Sequence, residues 1–173
     1  MNIYALSSGR GPSGIAIVRV SGKDTLKVCK NLTKLKEINS NEVNYCKFYD
    51  PKNDRVIDPE ALLLWFPGPN SYTGEDLAEF QVHGSNAIIN SLLKALSEQE
   101  NCRLAEPGEF TKLAFQNDKI DLLKAESIGD LIHAETEMQR QQAVKLVQGN
   151  ASNYYNELRE KLIKSLAYIE AKI

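Results

Sequence analysis

Two apolar, strand-length runs, Ala61–Phe66 and Leu77–Val82, are separated by ten residues (67–76) that include Pro67, Gly68, Pro69, Asn70, Ser71 and Gly74. Tight hairpins use loops of about two to five residues, so this connection is too long for one. Loops of this length inside compact domains usually carry function rather than merely joining strands. The chain is therefore expected to build a sheet that presents an irregular, turn-rich loop.

The remaining segments fit that frame. Ile3–Leu6 reads as a short strand, followed by a Ser/Gly/Pro turn over 7–13. Ile15–Val20 is apolar at both alternating sets of positions, which predicts a strand buried on both sides. Ser21-Gly22-Lys23-Asp24 opens an amphipathic helix with Leu26, Cys29 and Leu32 on one face, and a polar stretch (33–44) leads to a strand at Tyr45–Tyr49. Asp50 to Asp54 is a turn cluster. Asn86–Leu96 has helical spacing, Arg103–Ala105 reads as a last short strand, and 109–116 as a helix after Pro107-Gly108. From about Leu122 the period stays helical, with a break at Gly149-Asn150. Tyr155, Leu158, Leu162, Leu166, Ile169 and Ile173 then step by three or four, which suits a core-facing stripe or an oligomer seam. The fold class is α+β: a mixed β-sheet with packed helices over 1–118, followed by a truncated α-helical segment over 119–173.

Hydrophobic residues make up 42% and charged residues 25%, a globular balance. With 21 basic and 23 acidic residues the net charge is −2, which leaves no general electrostatic footprint for nucleic acid. Cys29, Cys46 and Cys102 are odd in number and form no C-x-x-C pair, so reduced thiols are expected rather than disulfides or a zinc site. No apolar run approaches about 18 residues and no signal segment opens the chain, so a soluble, cytoplasmic protein with no membrane association is expected. His83 and His133 are the only histidines, and no metal site is expected.

The stretch Gly9 to Gly14 matches G-x-G-x-x-G, but it opens a strand rather than a helix, and Pro12 removes a backbone donor. A dinucleotide site needs the reverse order, so the match is rejected. Three charges are more informative. Arg19 shares a strand face with Ile15 and Ile17; it reaches solvent, meets an internal carboxylate, or awaits an anionic or polar ligand. Glu79 shares a face with Leu77 and Gln81, a pattern that a solvated outer face also explains. Lys119 falls in the first turn of a helix that Asn117 or Asp118 would cap, where its charge opposes the macrodipole.

Gly14-Ile15-Ala16-Ile17-Val18-Arg19-Val20-Ser21-Gly22, Gly68-Pro69-Asn70-Ser71-Tyr72-Thr73-Gly74-Glu75-Asp76 and Pro107-Gly108-Glu109-Phe110-Thr111-Lys112-Leu113-Ala114-Phe115 occur in this order. Asp118-Lys119-Ile120-Asp121-Leu122 and Ala125-Glu126-Ser127-Ile128 follow. Together they resemble the amino-terminal part of the tRNA modification GTPases called MnmE or TrmE. The resemblance implies a tetrahydrofolate-binding-domain-like fold that binds a 5-formyl or 5,10-methylene derivative near a homodimer interface. The family's ligand-contact pattern falls on Arg19, Glu79 and Lys119. Glu79 suits the amino and N–H donors of a reduced pterin, and Arg19 and Lys119 suit carbonyls and the glutamyl tail. Where the family usually reads Gly-His-Gly-Gly, this chain has Val82, His83, Gly84 and Ser85, which narrows the backbone options at that edge.

The resemblance further implies that the full-length enzyme works on tRNA with the flavin-dependent partner MnmG (GidA), which carries FAD. Together they install a carboxymethylaminomethyl-type group on the wobble uridine. Its GTPase domain would use GTP with magnesium and potassium, but this chain has no G-x-x-x-x-G-K-[ST] stretch and should not hydrolyse GTP. No catalytic residue is expected in it. Ending on Ala171-Lys172-Ile173 in helical sequence, it reads as a fragment carrying the folate-binding and dimerisation module. A non-catalytic dimerisation and docking scaffold with a vestigial folate site is the alternative.

Overall fold

In a computed structural model, residues 1–9 and 11–171 are described, except for the side chains of 150–153. Arg10, Lys172 and the end of the predicted stripe, Ile173, lie outside the described residues. The chain divides into two compact units, Met1–Lys119 and Ile120–Ile173.

The first unit is built on a mixed sheet of six strands among the described residues: β1 (Asn2–Leu6), β2 (Ser13–Ser21), β3 (Val43–Tyr49), β4 (Val56–Phe66), β5 (Leu77–Gly84) and β6 (Cys102–Leu104). Their order is β3-β4-β5-β2-β1-β6, antiparallel throughout except for the parallel β1–β6 pair. Helices α1 (Thr25–Thr33), α2 (Asn86–Ser97) and α3 (Glu109–Gln116) complete the unit. The two runs flanking the long loop pair with each other as β4 and β5. Because β5 lies between β4 and β2, it is a central strand; the edges are β3 and β6.

One face of the sheet forms the core. Val18 and Val20 of β2, Phe80 of β5, Leu63 of β4 and Phe48 of β3 are fully buried there, with Phe48 and Phe80 tilted together at 4.8 Å between ring centroids. Helices α1 and α2 pack against strands of this sheet and supply Cys29, Leu32, Leu92 and Leu96 to the same core. Burial pushes the Cys29 thiol well up, and does the same to Cys46, to about 11. All three cysteines are free thiols.

The opposite face is buried at Ser21 and Leu77 but opens towards Ile15 and β3, which corrects the expectation that β2 is buried on both sides along its length. Ala16, Val18 and Val20 are buried, yet Ile15 is 63% exposed, as are Val43 (61%) and Tyr45 (65%) on β3. Apolar residues at both alternating sets do not require two covering layers; here they give one core face and one exposed apolar face.

The second unit holds α4 (Leu122–Ile132), α5 (Glu137–Val147) and α6 (Asn150–Glu170). Asp121 caps α4 by accepting from Lys124 N–H, and Thr136 with Gln139 forms a reciprocal capping box on α5. The predicted break falls between α5 and α6. The stripe of α6 does not face a core within this chain: Tyr155, Leu158, Leu162, Leu166 and Ile169 are all exposed. None of the described helices is long and apolar enough to cross a membrane.

Candidate functional site

Strand register creates the site. Arg19 on β2 lies directly opposite Glu79 on β5. Both alternate with the buried Val18, Val20, Ala78 and Phe80, so both side chains stand on the open face. The guanidinium pairs with the carboxylate through Nε (3.1 Å) and Nη2 (2.7 Å), both donating to Glu79 Oε1. Their side chains are 26% and 20% exposed, so this is a half-buried, charge-assisted contact. Of the alternatives open for Arg19, the protein-internal partner is an acidic residue on the neighbouring strand.

The long loop closes over this pair. Its ends are fixed by Gly68 N–H donating to Asp76 Oδ1 (2.9 Å) and by Gly22 N–H donating to the Asp76 carbonyl (2.9 Å). Thr73 is fully buried; its hydroxyl bonds Ser21 Oγ at 2.7 Å, and its carbonyl accepts from Asn117 Nδ2 at 2.7 Å. Between those anchors, Tyr72 places its ring 5.5 Å from Arg19 Cζ, while Phe110 in the first turn of α3 places its own at 5.6 Å. Tyr72 Oη and Thr111 Oγ1 are hydrogen-bonded at 3.0 Å, which ties the loop to α3. Phe110 also lines a cavity of about 660 Å³ with Leu6, Ile89, Leu93, Leu104 and Pro107. Small-molecule sites typically span about 300–1,000 Å³.

Lys119 is not in a helix, which corrects its placement from sequence. Asp121 caps α4, Asp118 has φ +54°, and Lys119 sits in the turn before the helix, so the macrodipole argument does not apply. Its aliphatic stem instead packs on the long loop. A Cβ added at Gly74 would come within 3.3 Å of Lys119 Cγ and Cδ and 3.0 Å of Asn117 Cβ, and Gly74 has φ +80°. Both facts favour glycine there. Lys119 thus meets the same loop two residues beyond Tyr72, while Arg19 and Glu79 meet each other directly.

At the far end of β5, Asp58 is fully buried and both its oxygens accept hydrogen bonds. Oδ2 takes the backbone N–H of His83 (2.8 Å), Oδ1 that of Glu60 (3.1 Å), and His83 Nδ1 lies 3.0 and 3.1 Å from the two oxygens. A carboxylate only accepts, so His83 Nδ1 carries the proton. The departures from the family pattern are accommodated locally: Val82 is buried in the core, and Ser85 caps α2 by accepting from Ile88 N–H at 3.2 Å. His133 ends α4, its Nδ1 2.8 Å from the Gly129 carbonyl. Among the described residues no group of three or more His, Cys, Asp and Glu side chains is placed to hold a metal ion.

Tyr72, Phe110 and Asp58 were not singled out from sequence. Tyr72 and Phe110 stand inside two of the motif blocks, 68–76 and 107–115, and that position was their only signal. Asp58 had none.

Residues 2–119 match the family described as "GTP-binding protein TrmE N-terminus", and residues 122–173 match the family described as "MnmE helical domain". The chain is 60% identical over 173 residues to the tRNA modification GTPase MnmE of Pelagibacter ubique, covering 100% of this chain and 39% of that protein. It is 44% identical over 177 residues to a mitochondrial tRNA modification GTPase of Dictyostelium discoideum, covering 99% of this chain and 34% of the relative. With the tRNA modification GTPase MnmE of Parvibaculum lavamentivorans it shares 43% over 171 residues, 99% of this chain and 39% of the relative. The chain therefore spans under two fifths of the length of these relatives.

Proposed function

Because the chain belongs to the TrmE (MnmE) family of tRNA modification GTPases, we infer that its first unit is that family's folate-binding and dimerisation module. It takes a tetrahydrofolate derivative, 5-formyl or 5,10-methylene, at Arg19, Glu79 and Lys119, and forms a homodimer. In the whole cytoplasmic enzyme it supports carboxymethylaminomethyl modification of the tRNA wobble uridine, together with the flavin-dependent partner MnmG (GidA). GTP, magnesium and potassium belong to the GTPase domain, for which this chain has no phosphate-binding loop.

The half-buried Arg19–Glu79 pair, covered by Tyr72 and Phe110 on an otherwise open sheet face, is the observation that carries this reading. The residues fit the group. A reduced pterin offers an amino group and ring N–H to a carboxylate, and carbonyl oxygens to a guanidinium or ammonium. When bound, the folate supplies the one-carbon unit; this chain's residues bind and orient it.

Calorimetric titration of the chain with 5-formyltetrahydrofolate tests the reading. Saturable binding that Glu79→Ala weakens is the expected result. No saturable binding leaves the scaffold reading, which the exposed apolar residues Ile15, Val43 and Tyr45 favour.

A further inference from the structure

Arg19 and Glu79 do not meet in the two-oxygen fork that Arg–carboxylate pairs often adopt. Nε and Nη2 converge on the single oxygen Oε1. Among the described residues, neither Arg19 Nη1 nor Glu79 Oε2 has a protein partner, and the one wholly buried side-chain nitrogen or oxygen without a partner is Trp65 Nε1. Nη1 and Oε2 therefore both reach solvent. The pair thus keeps one donor group and one acceptor atom uncommitted.

A long, flexible arginine would not hold this arrangement by itself, since fixing its rotamers carries a large entropic cost. Two rings oppose that freedom. Tyr72 and Phe110 come from different segments, both lie within cation–π distance of Cζ, and the Tyr72–Thr111 hydrogen bond links the loop to the residue after Phe110. Thr73, next to Tyr72, is anchored on Ser21 Oγ and Asn117 Nδ2, so the loop that carries the first ring is itself fixed.

We propose that Tyr72 and Phe110 are positioning residues: they hold the Arg19 guanidinium on Glu79 Oε1, so the ion pair meets its ligand as one preformed donor–acceptor unit through Nη1 and Oε2. This rests on the folate reading and sharpens it. A paired Arg19 and Glu79 meet the ligand together, the carboxylate taking an N–H and the guanidinium a carbonyl, rather than as two independently moving charges. Lys119, which lies along the loop at Gly74, is left as the cation for the tail. Preorganisation of this kind lowers the ordering cost of binding.

The test uses the full 173-residue chain with two readouts. The first is affinity for 5-formyltetrahydrofolate; the second is the ¹⁵N–¹H signal of Arg19 Nε, assigned by its disappearance in Arg19→Lys. In the unmodified chain that signal should be displaced by the nearby rings and should exchange slowly. Phe110→Leu should weaken affinity by about threefold to tenfold and move the signal towards that of exposed arginines. Tyr72→Phe, which keeps the ring but removes the tie to Thr111, should shift both readouts in the same direction by less. Phe110→Tyr should restore both, which a merely space-filling role would not require. An Arg19 signal unmoved by Phe110→Leu overturns the proposal, whatever the affinity does. A moved signal with unchanged affinity also overturns it. If the unmodified chain fails to bind the folate, the folate reading falls while the Arg19 signal still decides whether the rings hold the guanidinium. Should Phe110→Leu fail to fold, Tyr72→Phe carries the same two readouts.

Discussion

Asp58 on β4 reaches across to β5 and accepts the backbone N–H of His83 at 2.8 Å, so a side chain continues the pairing where the backbone ladder stops. The reason lies in the strand. Between Cys46↔Ala61 and Phe48↔Asp58 the register on β4 gains one residue, a bulge containing Pro59, which has no N–H to donate. The bulge places Asp58 opposite Phe48, and its carboxylate satisfies the N–H groups of His83 and Glu60.

Removing that carboxylate should therefore be costly. Asp58→Ala leaves the His83 and Glu60 N–H groups without their acceptor and is expected to lower unfolding free energy by about 2–3 kcal/mol. Asp58→Asn keeps one acceptor oxygen and should recover part of the loss. Urea denaturation of the three proteins checks the ranking; an Asp58→Ala chain as stable as the parent contradicts it.

Glu79→Ala is expected to weaken folate binding by about 1–3 kcal/mol, the loss of a charge-assisted hydrogen bond. The fold should survive, because the side chain is 20% exposed on the open face and contributes nothing to the opposite core. Titration and circular dichroism on the same sample separate the two effects.

Glu109 should give the first unit a pH-dependent contribution. Hydrogen bonds from the Arg103 guanidinium, seconded by the Glu106 N–H, hold its carboxyl down at about 2, below its ordinary 4.5. A carboxyl depressed by folding stabilises the fold fully above its unfolded value, and that stability is lost as pH falls from about 4.5 towards 2. Glu109→Gln should flatten the stability curve across that window, measured as melting temperature at successive pH values. An unchanged slope would show that the pair contributes nothing there.

No GTP turnover is expected from this chain at any potassium or magnesium concentration, since it lacks the glycine-rich loop and lysine that cradle the phosphates. A phosphate-release assay on purified protein settles the point. Turnover abolished by a mutation within this chain would refute the expectation.

Assembly should follow the sheet unit rather than α6. A chain ending at Lys119 is expected to remain dimeric in sedimentation at micromolar concentration. The exposed apolar positions on β2 and β3 are available to it, whereas β5, a central strand, offers no edge to pair. A clean monomer would transfer the interface to the exposed stripe of α6.

Period and turn chemistry made most elements legible. The helix over 109–116 and the two strands around the long loop follow directly from spacing, whereas the pairing of those strands with each other does not. Spacing also grouped Arg19 with Ile15 and Ile17, yet period 2 states which residues share a face and never whether another layer covers it. That is why β2 was read as buried on both sides. Lys119 was misplaced because Asn117, Asp118 and Asp121 are all competent caps, and only tertiary structure selects Asp121. The rings over Arg19 depend on contacts across 53 and 91 positions of chain, from 19 to 72 and from 19 to 110, which no local pattern encodes.

Trp65, at the end of β4, is the chain's single tryptophan, and its indole N–H is buried without a hydrogen-bond partner. The side chain is half-buried against the core, and it stands two residues from the start of the long loop. Fluorescence excited at the tryptophan band alone therefore reports from within the sheet unit, whereas far-ultraviolet dichroism also counts the helices after Ile120. Recorded together during one denaturation, the two optical signals will coincide if both units melt as one and separate if each melts on its own.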